Sequence, residues 1–157
     1  MKIRGLNDYD IVNYRQPTMF IVFPYCSFKC DKEAGIQVCQ NSKLAKEPII
    51  EMSEDRIIQM YKHNPLLRGI VCGGLEPFDS MRELSNFLYL FRLHYKDPII
   101  IYTGYTETEA ELHVSYLKPL GNLIIKFGRF IPNRPSRYDE ILGVTLASDN
   151  QYAKYYE

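Results

Sequence analysis

Four short apolar runs recur along the chain, and the stretches between them carry helix-start signals. The runs are Met19-Phe20-Ile21-Val22-Phe23, Gly69-Ile70-Val71, Ile99-Ile100-Ile101-Tyr102 and residues 122–127. Short runs rich in β-branched and aromatic residues, bounded by glycine, proline or polar clusters, read as strands. Ser53 precedes Glu54 and Asp55, the pattern of an N-cap with acids in the first helical turn, and Asn64-Pro65 ends that helix. Ser80 and Glu83 have capping-box spacing, and Met81, Leu84, Phe87, Leu88 and Phe91 follow at helical period until Asp97-Pro98. Thr106 and Glu109 form a second capping box, opening a helix that carries Leu112, Tyr116 and Leu117. Strands alternating with helices mean βαβ units and a parallel sheet. A closed barrel of such units takes about 250 residues, and this chain has 157. The expectation is one α/β domain over residues 1–157, an incomplete (β/α) barrel or open sheet, mostly parallel, with helices on its outer face. Residues 1–17 read as a polar, irregular N-terminal arm with room for a short edge strand. Residues 128–157 read as an irregular segment, with prolines at 132 and 135 and a short strand or turn near Ile141.

In such a sheet the loops leaving the C-terminal ends of the strands meet at one rim, where ligands bind. The first of these loops, Pro24 to Lys43, holds Cys26, Cys30 and Cys39 in a C-x3-C-x8-C spacing, leaving only Cys72 elsewhere. Three thiolates on one loop can hold a metal centre and leave one coordination position open. The alternative is three inert buried thiols. Lys29, Asp31, Lys32 and Glu33 make the loop polar and speak against a core location, and Gly35 permits a turn within the longer gap. The second loop carries Gly73-Gly74, either an ordinary strand-to-helix turn or a place where backbone approaches a ligand closely. Its Glu76 is either a solvated acid or an acceptor for a ligand ammonium. Thr103 and Tyr105 in the third loop either finish a strand or touch a ligand. Cys72 reads as a small apolar residue ending a strand in preference to a fourth ligand. His63, His94 and His113 fall on predicted helices without ligand spacing. A formal net charge of +0 gives no electrostatic case for nucleic acid or an anionic membrane. No apolar run has the length of a membrane span and no signal-peptide pattern opens the chain. The expected compartment is the cytoplasm, where clustered cysteines are metal-binding or catalytic more often than disulfide-bonded.

The set of motifs resembles the radical S-adenosylmethionine superfamily, and within it the small activating components of anaerobic (class III) ribonucleoside-triphosphate reductases. The family's C-x3-C-x2-C and the polar run after it are matched by Cys26, Cys30, Cys39 and Gln40-Asn41-Ser42. Its Gly-Gly-Glu-Pro is matched by Gly73-Gly74-Leu75-Glu76-Pro77, and its Tyr-Thr-Gly-Tyr by Tyr102 to Tyr105. Its C-terminal pattern is echoed by Gly128-Arg129-Phe130-Ile131 and Ser148-Asp149-Asn150-Gln151. The second cysteine gap is longer here by six residues, Leu75 interrupts the glycine–glutamate run, and Val38 stands where an aromatic residue is common.

The resemblance implies a cluster-binding loop over residues 24–47, with a [4Fe-4S] cluster held by Cys26, Cys30 and Cys39. The fourth iron would take the amino and carboxylate groups of S-adenosyl-L-methionine. Gly73, Gly74 and Glu76 would fix the methionine end, with Val38, Gln40 and Tyr105 along the nucleoside side and Thr103 beside them. No catalytic side chain beyond the cluster is implied. An external electron donor, such as a flavodoxin-like protein, would reduce the cluster and split the cosubstrate into methionine and a 5′-deoxyadenosyl radical. That radical would take hydrogen from a glycine of the anaerobic ribonucleotide reductase subunit. Two alternatives stand beside this reading. One is a radical enzyme acting on a small molecule. The other is a non-catalytic zinc- or cluster-binding interaction module using Cys72 as fourth ligand.

Overall fold

A computed structural model describes residues 1–157. Its elements, in chain order, are β1 (Lys2–Ile3), β2 (Gly5–Asp10), β3 (Thr18–Val22), α1 (Lys29–Ala34), β4 (Ile50–Glu51), α2 (Glu54–His63) and β5 (Ile70–Gly73). There follow α3 (Met81–His94), β6 (Ile99–Tyr102), α4 (Glu107–Leu117), β7 (Leu123–Phe127), β8 (Arg137–Asp139), β9 (Val144–Leu146) and β10 (Tyr152–Tyr156). Six strands form one sheet in the order β10-β7-β6-β5-β3-β2. The inner four run parallel, and β2 and β10 are antiparallel edges. No helix is long and apolar enough to cross a membrane.

The parallel strands are apolar on both faces, and their two sets of side chains enter different cores. Met19, Ile21, Ile70, Cys72, Ile99, Ile101, Leu123, Ile125 and Phe127 join Ile57, Phe87, Phe91, Val114 and Leu117 of α2, α3 and α4. All three helices therefore cover one face. On the other face Val71, Ile100 and Ile124 pack with Tyr14, Leu142, Leu146 and Ala153. The strand period of two explains this partition: alternate residues point to opposite faces of a sheet.

The inner face is covered by the two ends of the chain, whose sequences read as irregular. Residues 1–17 contribute β1, paired with β4, and the six-residue edge strand β2. Tyr102 Oη donates to Asn13 O (2.7 Å), and Arg15 N donates to Leu142 O (2.7 Å), fastening the arm down. Residues 128–157 contribute the β8–β9 hairpin and β10, which pairs with β7 along its whole length. The buried Asp139 carboxylate accepts from Ile141 N, Leu142 N and Ala153 N, joining hairpin to edge strand. Tyr-Ala-Lys-Tyr-Tyr lacks the apolar alternation that marks a strand, so β10 is fixed by its partner β7.

Helix starts diverge from the sequence pattern in one case. Thr106 and Glu109 form the reciprocal capping box. Ser80 does not cap α3, because the chain enters that helix through a 3-10 turn over Pro77–Ser80. The Ser80 backbone (φ −126°, ψ 41°) is not in the extended N-cap geometry, and its buried Oγ has no partner. In α4 only Leu117 of the three apolar residues singled out is buried. Ala110, Val114 and Leu117 make the inward stripe, while Leu112 (83% exposed) and Tyr116 (68%) face outward.

Candidate functional site

The loops after β3, β5 and β6, together with the segment after β7, enclose a cavity of about 470 Å³. Sites for small ligands commonly span about 300–1,000 Å³. Cys26, Cys30, Cys39, Gln40, Gly74, Glu76, Thr103 and Tyr105 line it. Ten residues were singled out from the sequence as metal- or cofactor-binding; the other two, Val38 and Gly73, are not in the wall. Val38 lies in the cysteine loop, where its amide donates to Asp31 Oδ1 (2.8 Å). Gly73 lies inside β5, which runs two residues further than the sequence pattern indicates. A Cβ there would sit 3.1 Å from Tyr102 Cβ and 3.2 Å from Phe20 Cε2, so this glycine serves packing within the sheet. Gly74 is the one at the cavity. Its φ of +80° and the 2.7 Å from an added Cβ to Val22 Cγ1 both require glycine.

The cysteine loop solves a spacing problem. Cys30 sits in α1, a six-residue helix that ends at Gly35 in the left-handed region (φ 69°). The chain then doubles back, and Asp31 Oδ1 accepts from both Val38 N and Cys39 N at 2.8 Å. This clasp returns Cys39 to Cys30 across the eight-residue gap. Burial, followed by the neighbouring Cys39, pushes the Cys30 thiol up. Burial raises Cys26 to about 11, partly offset by the Phe28 amide that donates to its Sγ (3.3 Å). Phe28 itself has φ 51°, an unusual conformation for a bulky residue. Strain of this kind, of order 1–3 kcal/mol, persists where surrounding structure enforces it and clusters at functional sites.

Two carboxylates sew the three loops together. Glu76, fully inside the protein, accepts from Thr103 Oγ1 (2.7 Å), Gly104 N (2.8 Å) and Phe78 N (3.1 Å). Burial raises its pKa to about 7 against the lowering effect of those three donors. It is thus neither a solvated acid nor a free acceptor: most of its capacity is spent on the scaffold. Asp79, which the sequence reading passed over, accepts from Ser27 N and from Tyr105 Oη, both at 2.6 Å. Lys29 Nζ stands 3.8 Å from the Tyr105 ring centroid. Arg129, also on the wall, pairs with Glu109 (2.5 Å) and lies 3.3 Å from Glu33 of α1. This pairing holds the Glu109 carboxyl down at about 2.

All four cysteines are free thiols. Cys72 is fully buried in the helix-side core, away from the cavity, and its thiol is pushed up by burial alone. No three His, Cys, Asp or Glu side chains stand close enough to hold a single metal ion. Cluster thiolates bond separate irons and are spread more widely than the ligands of one ion. Three thiols on one rim, with a cavity beside them, match the donor set of a cluster that keeps one iron for an exchangeable ligand. Metal binding there would displace thiol protons.

Lys126 is a charged wall residue that sequence reasoning missed. It points from β7 to the inner face and is 7% exposed. The signal was present in Leu-Ile-Ile-Lys-Phe, a lone charge within an otherwise apolar buried strand. Comparison of the chain with family models, curated proteins and solved structures finds no match.

Proposed function

We propose that this chain is a radical S-adenosylmethionine activating enzyme that generates a glycyl radical on an anaerobic ribonucleotide reductase. The six-stranded sheet, helical on one face only, is read as an incomplete (β/α) barrel. The observation that carries the reading is convergence: Cys26, Cys30 and Cys39 border the same cavity as Gly74, Gln40, Thr103 and Tyr105. A [4Fe-4S] cluster bound by the three thiolates would supply the electron for reductive cleavage of S-adenosylmethionine, whose adenosyl fragment then takes hydrogen from a partner glycine. The chain's own contribution is placement and exclusion of competing reactions. Asp31 holds the third cysteine beside the second. Glu76 and Asp79 fix the β5, β6 and cysteine loops to one another, so that the walls keep a common geometry. Gly74 lets the chain turn at the cavity edge with a positive φ and pack directly on Val22. An external donor such as a flavodoxin-like protein is part of the proposal, as is a cytoplasmic setting.

The test is anaerobic reconstitution with iron and sulfide, followed by dithionite and S-adenosylmethionine. Formation of 5′-deoxyadenosine, lost in Cys26→Ala, Cys30→Ala and Cys39→Ala, is the expected result. Deuterium transfer from a labelled partner glycine into that product identifies the substrate. A reconstituted protein carrying the iron–sulfur chromophore that yields no 5′-deoxyadenosine would overturn the reading.

A further inference from the structure

We infer that Asp79 is a positioning residue for the metal centre: it fastens the Cys26 end of the cysteine loop to Tyr105 and sets a negative charge behind it that keeps the centre's reduction potential low. Asp79 sits in the 3-10 turn between β5 and α3 and divides its carboxylate between two loops. Oδ2 accepts from Ser27 N and Oδ1 from Tyr105 Oη, both at 2.6 Å. Contacts this short are those of charge-assisted bonds. No cation pairs with Asp79; Lys29 and Arg129 on the same wall are both engaged by Glu109. The two donors alone balance its charge, and one of them is the amide next to Cys26.

Charge and hydrogen bonding here act on a bound cluster in the same direction. The potential of an iron–sulfur centre falls with added negative charge and rises with hydrogen bonds to its sulfurs. Asp79 supplies the first and withholds one of the second: Ser27 N is taken by the carboxylate, while the next amide, Phe28 N, donates to Cys26 Sγ (3.3 Å). One-electron reduction adds negative charge at the centre, and a carboxylate nearby opposes it. Once reduced, a centre of low potential is the stronger electron donor, which suits cleavage of a sulfonium bond.

The same geometry gives Tyr105 a different part from that of a ligand contact. Its hydroxyl reaches Ser27 through Asp79, and its ring centroid lies 3.8 Å from Lys29 Nζ. Those two residues adjoin Cys26 and Cys30. The Tyr105 backbone is itself pinned, its N donating to Thr103 Oγ1 (3.0 Å) and its O accepting from Gly128 N (2.9 Å). Tyr105 is thus the fixed post to which both ends of the first cysteine spacing are tied. The inference rests on the proposed function for the identity of the metal centre, and on the structure alone for the bridge.

The experiment follows the full chain in two states. In the metal-free, reduced protein, hydrogen exchange at the Ser27 amide is expected to quicken about tenfold in Asp79→Ala, the scale of one hydrogen bond to a charged acceptor. After anaerobic reconstitution with iron and sulfide, a redox titration followed by electron paramagnetic resonance reads the midpoint potential. Asp79→Asn, which keeps the shape and loses the charge, is expected to titrate at a higher potential than wild type. Tyr105→Phe, which loses a donor and keeps the charge, is expected at or below the wild-type value. A role confined to holding the fold would move both variants the same way. Unchanged Ser27 exchange, an unchanged or lower potential in Asp79→Asn, or a raised potential in Tyr105→Phe overturns the inference; the last remains decisive even where Asp79→Asn does not fold. Wild-type protein that assembles no cluster overturns the inference together with the radical reading. Protein that assembles one and shows the shift without forming 5′-deoxyadenosine overturns the radical reading alone.

Discussion

Replacing Asp31 by alanine tests whether one carboxylate compensates for the long cysteine gap. Asp31 Oδ1 receives two backbone amides, Val38 N and Cys39 N, each at 2.8 Å. A hydrogen bond of this kind contributes about 1 kcal/mol net, with charged acceptors higher and solvent exposure lower. Asp31 is half-buried, so removing both bonds should free the 35–39 segment by about 2 kcal/mol. At 1.36 kcal/mol per decade this corresponds to roughly 30-fold faster hydrogen exchange at the Val38 and Cys39 amides. Asp31→Asn keeps an acceptor oxygen without the charge and should fall between wild type and alanine. Exchange at Ile100 and Ile125, in the sheet core, should not change. Iron retained after anaerobic reconstitution should fall in Asp31→Ala, because Cys39 is no longer held beside Cys30. Unchanged exchange at both amides, or equal acceleration in the sheet core, would refute the account of the clasp.

Glu76 gives a pH signature. Its folded pKa of about 7 lies above the ordinary 4.5, burial being the main cause, so folding takes up a proton between those values. Its contribution to stability is fully present below about pH 4.5 and declines as pH rises through 7. A shift of that size amounts to about 3 kcal/mol. Urea melts of wild type and Glu76→Gln should therefore diverge with pH, with Asp79 and Lys126 as the charged neighbours in both proteins; a pH-independent difference would contradict the burial argument. The two capping-box signals, at Ser80 and Thr106, should separate cleanly in denaturant melts. Thr106→Ala should cost about 1 kcal/mol, and Ser80→Ala should be neutral or stabilising, because Ser80 Oγ is buried without a partner. Gly74→Ala should cost about 2 kcal/mol or more, from its positive φ and the clash with Val22. A urea midpoint within experimental error of wild type would show that the loop can relax.

The sequence determined the alternation of strands and helices, since both follow from local rules. Apolar runs at Met19, Ile70, Ile99 and Leu123 and the caps at Ser53 and Thr106 act within a few residues of themselves. It also determined that the cysteine loop, the glycine loop and the Tyr102–Tyr105 loop meet at one rim, because βαβ connectivity forces this. Tertiary structure decided what depends on contacts between distant residues. The strand identity of Tyr152–Tyr156 comes from the open edge of β7, and the cover over the inner face comes from Tyr14 meeting Leu142. The use of Glu76 for Thr103 and Gly104, and the burial of the Lys126 ammonium, are likewise decided there. A carboxylate or ammonium reads the same in sequence whether it is solvated, paired or buried. Only the surrounding dielectric and the available donors and acceptors distinguish these states, and the folded chain sets both.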